Sequence, residues 1–158
     1  MMCSGPRPGL HEAESRAEID IPRLEQLPLF ASLGKAVLAE MQPLFRTEHF
    51  PAGRVIVYEG DAGDRFYILV RGKASVTKAN VDGDNPDEVG ILRDGDFFGE
   101  IALLKHMPRT VTVHATQHCI CLSLSREHFD QILNRFPEIK KEVTDVARTR
   151  YEELGRDW

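Results

Sequence analysis

Within "FGEIALLKHMPRTVTV", residues 98–113, a carboxylate at Glu100, a bare backbone at Gly99 and a cation at Arg109 stand close enough to serve one ligand. A helix beginning at Gly99 would leave the amides of Glu100, Ile101 and Ala102 without intrahelical acceptors, which makes its start a natural anion site. Glycine lets an anion approach the backbone closely. After the turn at Pro108, Arg109 can return a guanidinium to the same point, and its planar fork suits phosphate through paired hydrogen bonds. Glu100 would repel a free phosphate but not a phosphate ester whose hydroxyls face the acid. These residues point to a ligand carrying both a phosphate and a sugar hydroxyl. They also allow a plainer reading, with Glu100 as a first-turn acid favoured by the helix macrodipole and Arg109 as its ion-pair partner.

Elements on either side must position this stretch. Leu24, Leu27, Leu29 and Phe30, then Val37, Leu38, Met41, Leu44 and Phe45, recur at helical spacing, which predicts short helices over 21–48. Pro43 should break the second, because it lacks an amide hydrogen and clashes with the preceding turn. Between Pro51 and Gly99 eight of the twelve glycines punctuate the runs "RVIVYEG", "RFYILVRG", "KASVTK", "EVGIL" and "DFFG", the pattern of an all-β roll or barrel. "CICLSL" adds a strand, so the roll is placed at 49–125. The acidic "DGDNPDE" reads as an exposed hairpin tip; its aspartates lack the Gly-x5-Glu continuation of a calcium loop.

Two helices over 126–155 follow. Ser125 can cap the first, whose Phe129, Ile132, Leu133 and Phe136 form an apolar stripe. Pro137 can open the second, which turns Ile139, Val143, Val146, Ala147 and Leu154 inward. At 100° per residue Arg150 falls about 20° from Ile139, in the middle of that stripe. It either snorkels off the end of the stripe or aims its charge at a ligand.

Composition bounds the function. A chain of 158 residues, 42% hydrophobic and 28% charged, fits one domain with a real core. The net charge of −5 argues against a nucleic-acid surface. The longest apolar run, Phe66 to Val70, is far short of the roughly twenty residues that span a bilayer. The N-terminus lacks a signal-peptide core, and residues 1–20 read as a flexible tail. Three cysteines give no disulfide framework; Cys119 and Cys121 read as packing residues, and a cytoplasmic location is the expectation.

"FGEIALLKHMPRTVTV", together with "PAGRVIVYEGDAGDRFYILVRGKASV", "LRDGDFFGE" and "LSLSREHFDQILNRFPEI", resembles the cyclic nucleotide-binding domain family over about Leu24 to Gly155. The resemblance implies an α+β fold: an eight-stranded antiparallel β-roll, jelly-roll-like, flanked by N-terminal helices and two C-terminal helices. Residues 98–111 would be its phosphate-binding cassette. It further implies that Glu100 accepts from the ribose 2′-hydroxyl, that Phe98, Gly99, Ile101 and Ala102 frame the site with backbone groups, and that Arg109 pairs the cyclic phosphate. Thr110, with Val111 beside it, can touch phosphate and the amino group of a syn guanine. Val76 and Leu92 would wall the base, and the last helix, resembling that of cyclic nucleotide-gated and hyperpolarisation-activated channels, would close as a lid carrying Arg150 and Leu154. Where relatives often place a basic residue, this chain has Glu153.

The implied ligand is cAMP, with cGMP the alternative; no cofactor or metal is implied, and an attached effector domain or partner subunit would receive the signal. Three rivals remain. A catabolite-activator-type transcription regulator should continue into a helix-turn-helix, whereas this chain ends at Trp158 with an acidic balance. An enzyme on the same roll, such as a metal oxygenase, should show clustered ligands or a nucleophile-base pair, and His11, His49, His106, His114, His118 and His128 lack that spacing. An interaction module that has lost its ligand is opposed by intact Glu100 and Arg109.

Overall fold

The computed structural model describes residues 19–158. Helix α1 (Ile21–Glu25) starts where the Asp20 side chain accepts from the Arg23 amide at 3.0 Å. A 3-10 turn at Pro28–Phe30 and helix α2 (Lys35–Met41) follow, and α2 gives way at Pro43 to a second 3-10 turn, Gln42–Leu44. Ile19 is buried and its carbonyl accepts from Gln42 Nε2 at 2.6 Å. The expected tail is therefore corrected at residues 19 and 20, which belong to the folded part; the rest of it, residues 1–18, lies outside the described residues.

Eight strands follow: β1 (Arg46–Phe50), β2 (Val55–Val57), β3 (Arg65–Arg71), β4 (Lys73–Lys78), β5 (Asp87–Arg93), β6 (Phe97–Phe98), β7 (Thr112–Ala115) and β8 (Cys119–Ser125). They form two antiparallel four-stranded sheets, ordered β1-β8-β3-β6 and β2-β7-β4-β5. Helix α3 (Glu100–Lys105) lies between β6 and β7, and α4 (Arg126–Arg135) and α5 (Pro137–Glu153) close the described chain. The roll begins at Arg46 rather than at 49. β1 is an edge strand with only Thr47 fully buried, so its sequence "RTEHF" offers no apolar alternation to mark it.

β3 explains how one sheet serves two cores. Its unbroken apolar run alternates in space: Phe66, Ile68 and Val70 enter the core shared with the helices, and Tyr67 and Leu69 enter the interior of the roll. β8 divides likewise, with Leu122 and Leu124 against the helices and Cys119 and Cys121 inside. Both thiols are free and buried, and burial pushes their pKa values up, so they serve as packing groups. Phe66 meets Phe129 of α4 at 4.9 Å and Phe97 of β6 at 5.5 Å between ring centroids. The β4–β5 tip at residues 81–89 is exposed throughout. Among the described residues no helix is long and apolar enough to cross a membrane, and no group of three or more His, Cys, Asp or Glu could hold a metal ion.

Ser125 caps α4 by accepting from the His128 amide at 3.2 Å, and Pro137 opens α5 in its first turn. α5 buries Ile139, Val143 and Ala147 as its periodicity requires, but the last buried position is Tyr151. Val146 is only half-buried, and Leu154 sits past the helix end as its C-cap. Replacing the cap, Ser125→Ala, should lower stability by about 1 kcal/mol; a urea midpoint equal to wild type would show that the hydroxyl contributes nothing.

Candidate functional site

Gly99 is the N-cap of α3 at φ +91°, a left-handed conformation that favours glycine. A Cβ there would lie 2.7 Å from Arg109 Nη1 and 3.0 Å from the Arg65 carbonyl oxygen, so the absent side chain makes room for the arginine. Arg109 is buried, donating through Nη1 to Gly99 O at 3.2 Å and through Nη2 to Arg65 O at 2.9 Å. Its guanidinium also lies 5.9 Å from the Tyr67 ring centroid. Desolvation presses its pKa down and neighbouring Asp64 and Glu100 act the other way, but an arginine starts so high that it stays charged. The backbone is fixed as well: Arg109 N donates to Asp61 O at 2.9 Å, and Arg109 O accepts from Gly60 N at 2.9 Å. The turn-forming "EGDAGD" thus holds the arginine's main chain. Gly63 holds its surroundings, because a Cβ there would meet Ala102 Cβ at 2.4 Å.

Glu100 is the other buried charge, 1% exposed at the first turn of α3. Arg150 Nη1 reaches across from α5 to its Oε1 at 2.9 Å and to the Phe97 carbonyl at 2.8 Å. The guanidinium lies 5.3 Å from the Phe97 ring centroid. Helical periodicity places Arg150 inward but does not reveal this partner. The side chain stays partly exposed at the edge of the cavity and ties the last helix to the acid of the cassette. Beside it Ile101, Ala147 and Tyr151 form a small apolar cluster, with Leu104, Met107 and Trp158 packed against it.

These groups surround a cavity of about 500 Å³. Phe98, Gly99, Glu100, Ile101, Ala102, Arg109, Thr110 and Val111 line it from the cassette, Val76 and Leu92 from β4 and β5, and Arg150 and Leu154 from the last helix and its cap. Every position singled out in the sequence therefore faces one space. Strand register explains the wall, since Val76 pairs with Gly90 on one side and Val113 on the other. Val57, Val89, Gly90, Ile91, Val113 and Glu153 also line the cavity. The period-2 relation of Val113 to Val111 could have found one of them. Val89 and Ile91 lie on an edge strand out of phase with the buried wall residue Leu92 and stay exposed, so the period-2 pattern that places Leu92 does not reveal them.

The site thus combines a buried, pre-oriented guanidinium, a glycine-opened helix start, a buried acid and an apolar wall. Such a set suits a compact ligand with an anionic end, hydroxyls and a flat apolar part. Residues 47–136 match the family model of the cyclic nucleotide-binding domain, and the chain belongs to that family. It is 38% identical over 111 residues to a cAMP-dependent protein kinase regulatory subunit of Dictyostelium discoideum, covering 69% of this chain and 34% of that one. It is 36% identical over 124 residues to a cyclic nucleotide-gated potassium channel of Rhizobium etli, covering 78% of this chain and 33% of that one. Among solved structures, the regulatory domain of Toxoplasma gondii PKA with cAMP superposes at a TM-score of 0.70 with 29% identity, over 89% of this chain and 51% of that one. The chain spans about a third of the length of these two sequence relatives.

The fit between Gly99 and Arg109 generates a test. Gly99→Ala should cost about 1–2 kcal/mol of stability through the left-handed backbone alone, and it should also push the Arg109 guanidinium away from the Gly99 carbonyl. Denaturation and a crystal structure of the variant check both effects; an unchanged midpoint with Arg109 in place would contradict the account.

Proposed function

We propose that the chain is the sensor domain of a cyclic-nucleotide response, with cAMP ahead of cGMP as its ligand and no further cofactor. The observation that carries this reading is the buried Arg109 guanidinium beside the Gly99 helix start, with the carboxylate of Glu100 in the same cavity. In this reading the cyclic phosphate meets Arg109 and the first amides of α3. Arg150 engages only Oε1 of Glu100, so the second oxygen is the acceptor for the ribose 2′-hydroxyl. The purine lies against Val76 and Leu92, with Thr110 close to the phosphate, and Arg150 and Leu154 bound the space from the lid. The identities to the Dictyostelium regulatory subunit and the cAMP-bound Toxoplasma domain favour cAMP.

The proposed mechanism is a population shift. A ligand that binds the lid-docked form better than the undocked form stabilises it by the difference in affinity. The output passes to an attached effector domain or a partner subunit, a kinase or a channel by analogy with the relatives, in the cytoplasm. No step in this scheme requires a reaction.

Calorimetric titration tests the reading. Wild type should bind cAMP, and Arg109→Ala should weaken binding by about 2–5 kcal/mol while leaving far-UV circular dichroism unchanged. Glu100→Gln should lose less and discriminate less against 2′-deoxy-cAMP. Equal affinity of wild type and the folded arginine variant would refute the assignment.

A further inference from the structure

A second cavity, of about 270 Å³, shares no lining residue with the first. Pro43, Leu44 and Phe45 form its apolar side, and Arg46, Arg65, Ser125 and His128 its polar side. Strand register brings the two arginines together. In the order β1-β8-β3, Arg46 pairs with Ser123 and Arg65 pairs with Ser125, so both cations stand at the same end of the sheet, one on each side of β8. Ser123 and Ser125 are two residues apart and share a face, which puts Arg46 and Arg65 on that face too.

The charges at this place do not cancel. Arg65 Nε donates to Ser123 Oγ at 3.1 Å and stands 4.0 Å from Glu48 Oε2, which itself accepts from Ser123 Oγ at 2.5 Å. That acid offsets part of one arginine. Among the described residues the Arg46 side chain makes no ion pair or hydrogen bond, the His128 ring makes none, and no acid lines the cavity. Two guanidiniums, an imidazole and a hydroxyl therefore converge on a hollow with an apolar opposite wall. Like charges gathered this way repel unless an anion joins them, and the guanidinium fork matches an oxyanion.

We propose that this cavity is a second ligand site that takes a phosphate monoester, its phosphoryl oxygens on Arg46 and Arg65 and its organic part against Leu44 and Phe45. The site is separate from the nucleotide cavity and does not depend on the reading of that cavity. The monoester has to be small, because the hollow is about half the volume of the nucleotide cavity.

Phenyl phosphate and inorganic phosphate are the probes, titrated into the full chain and followed by amide shifts in heteronuclear NMR. Phenyl phosphate should move the amides of Arg46, Ser125 and His128, and Arg46→Ala should weaken that response by about tenfold or more. Arg46 is exposed and unpaired among the described residues, so its variant should keep the wild-type melting temperature, and Arg46→Lys should recover part of the binding. Tighter binding of phenyl phosphate than of inorganic phosphate supports a monoester held against Leu44 and Phe45; equal binding would overturn the monoester assignment. Shifts confined to Gly99–Ala102 and Thr110, or a response that survives Arg46→Ala unchanged, would overturn the proposal.

Discussion

The fold is arranged around a guanidinium largely withdrawn from water, buried on one side and facing the cavity on the other. A buried cation is tolerated only where fixed dipoles replace its hydration, and Arg109 has two such dipoles, the carbonyls of Gly99 and Arg65. Each comes from a different part of the chain, one from the start of the cassette and one from β3. Those bonds occupy part of the donor fork, and the remaining donors are what an anion in the cavity can use. The constraint extends outward. Gly99 and Gly63 have to lack side chains, the 60–61 loop has to pair with the Arg109 backbone, and β6 has to deliver Gly99 beside β3.

The same cassette is where the roll meets the C-terminal helices. Arg126, the first residue of α4, donates to Leu103 O at 3.1 Å and to Gly63 O at 2.8 Å, so the helix start is held by the cassette and by the loop behind Arg109. Farther along, Arg150 binds Glu100, and Ala147 and Tyr151 pack on Ile101. A ligand that alters the position or charge environment of α3 therefore acts on both ends of the helical pair. A buried acid gripping an arginine of the last helix gives the connection direction, since whatever hydrogen-bonds to Glu100 changes what Arg150 meets. Transmission here needs only a packed helix with two arrangements and a ligand that distinguishes them.

Much of this was legible in the sequence because the decisive residues are close together. Gly99, Glu100 and Arg109 lie within one short stretch, and each has a distinctive role for its residue type. Ser125 and Pro137 were readable for a similar reason, as capping chemistry is local. Features depending on distant pairing were not readable. Arg150 could be placed inward by helical arithmetic, but its partner Glu100 is fifty residues away, and no periodicity links them. β1 escaped because an edge strand with one buried residue looks like a polar loop. Tyr151 takes the buried place expected of Leu154, because α5 ends before that leucine. Gly63 was recognisable as a turn residue, yet its close approach to Ala102 exists only after β2, β3 and the cassette have come together.

Whether the cassette and the last helix act as one unit is open to direct measurement by amide hydrogen exchange across residues 137–153, with and without saturating cAMP. The account predicts that the nucleotide slows exchange in this helix, most strongly around Ala147, Arg150 and Tyr151, where it docks on the cassette. Identical exchange in the two states, with cAMP shown to be bound, would contradict the coupling.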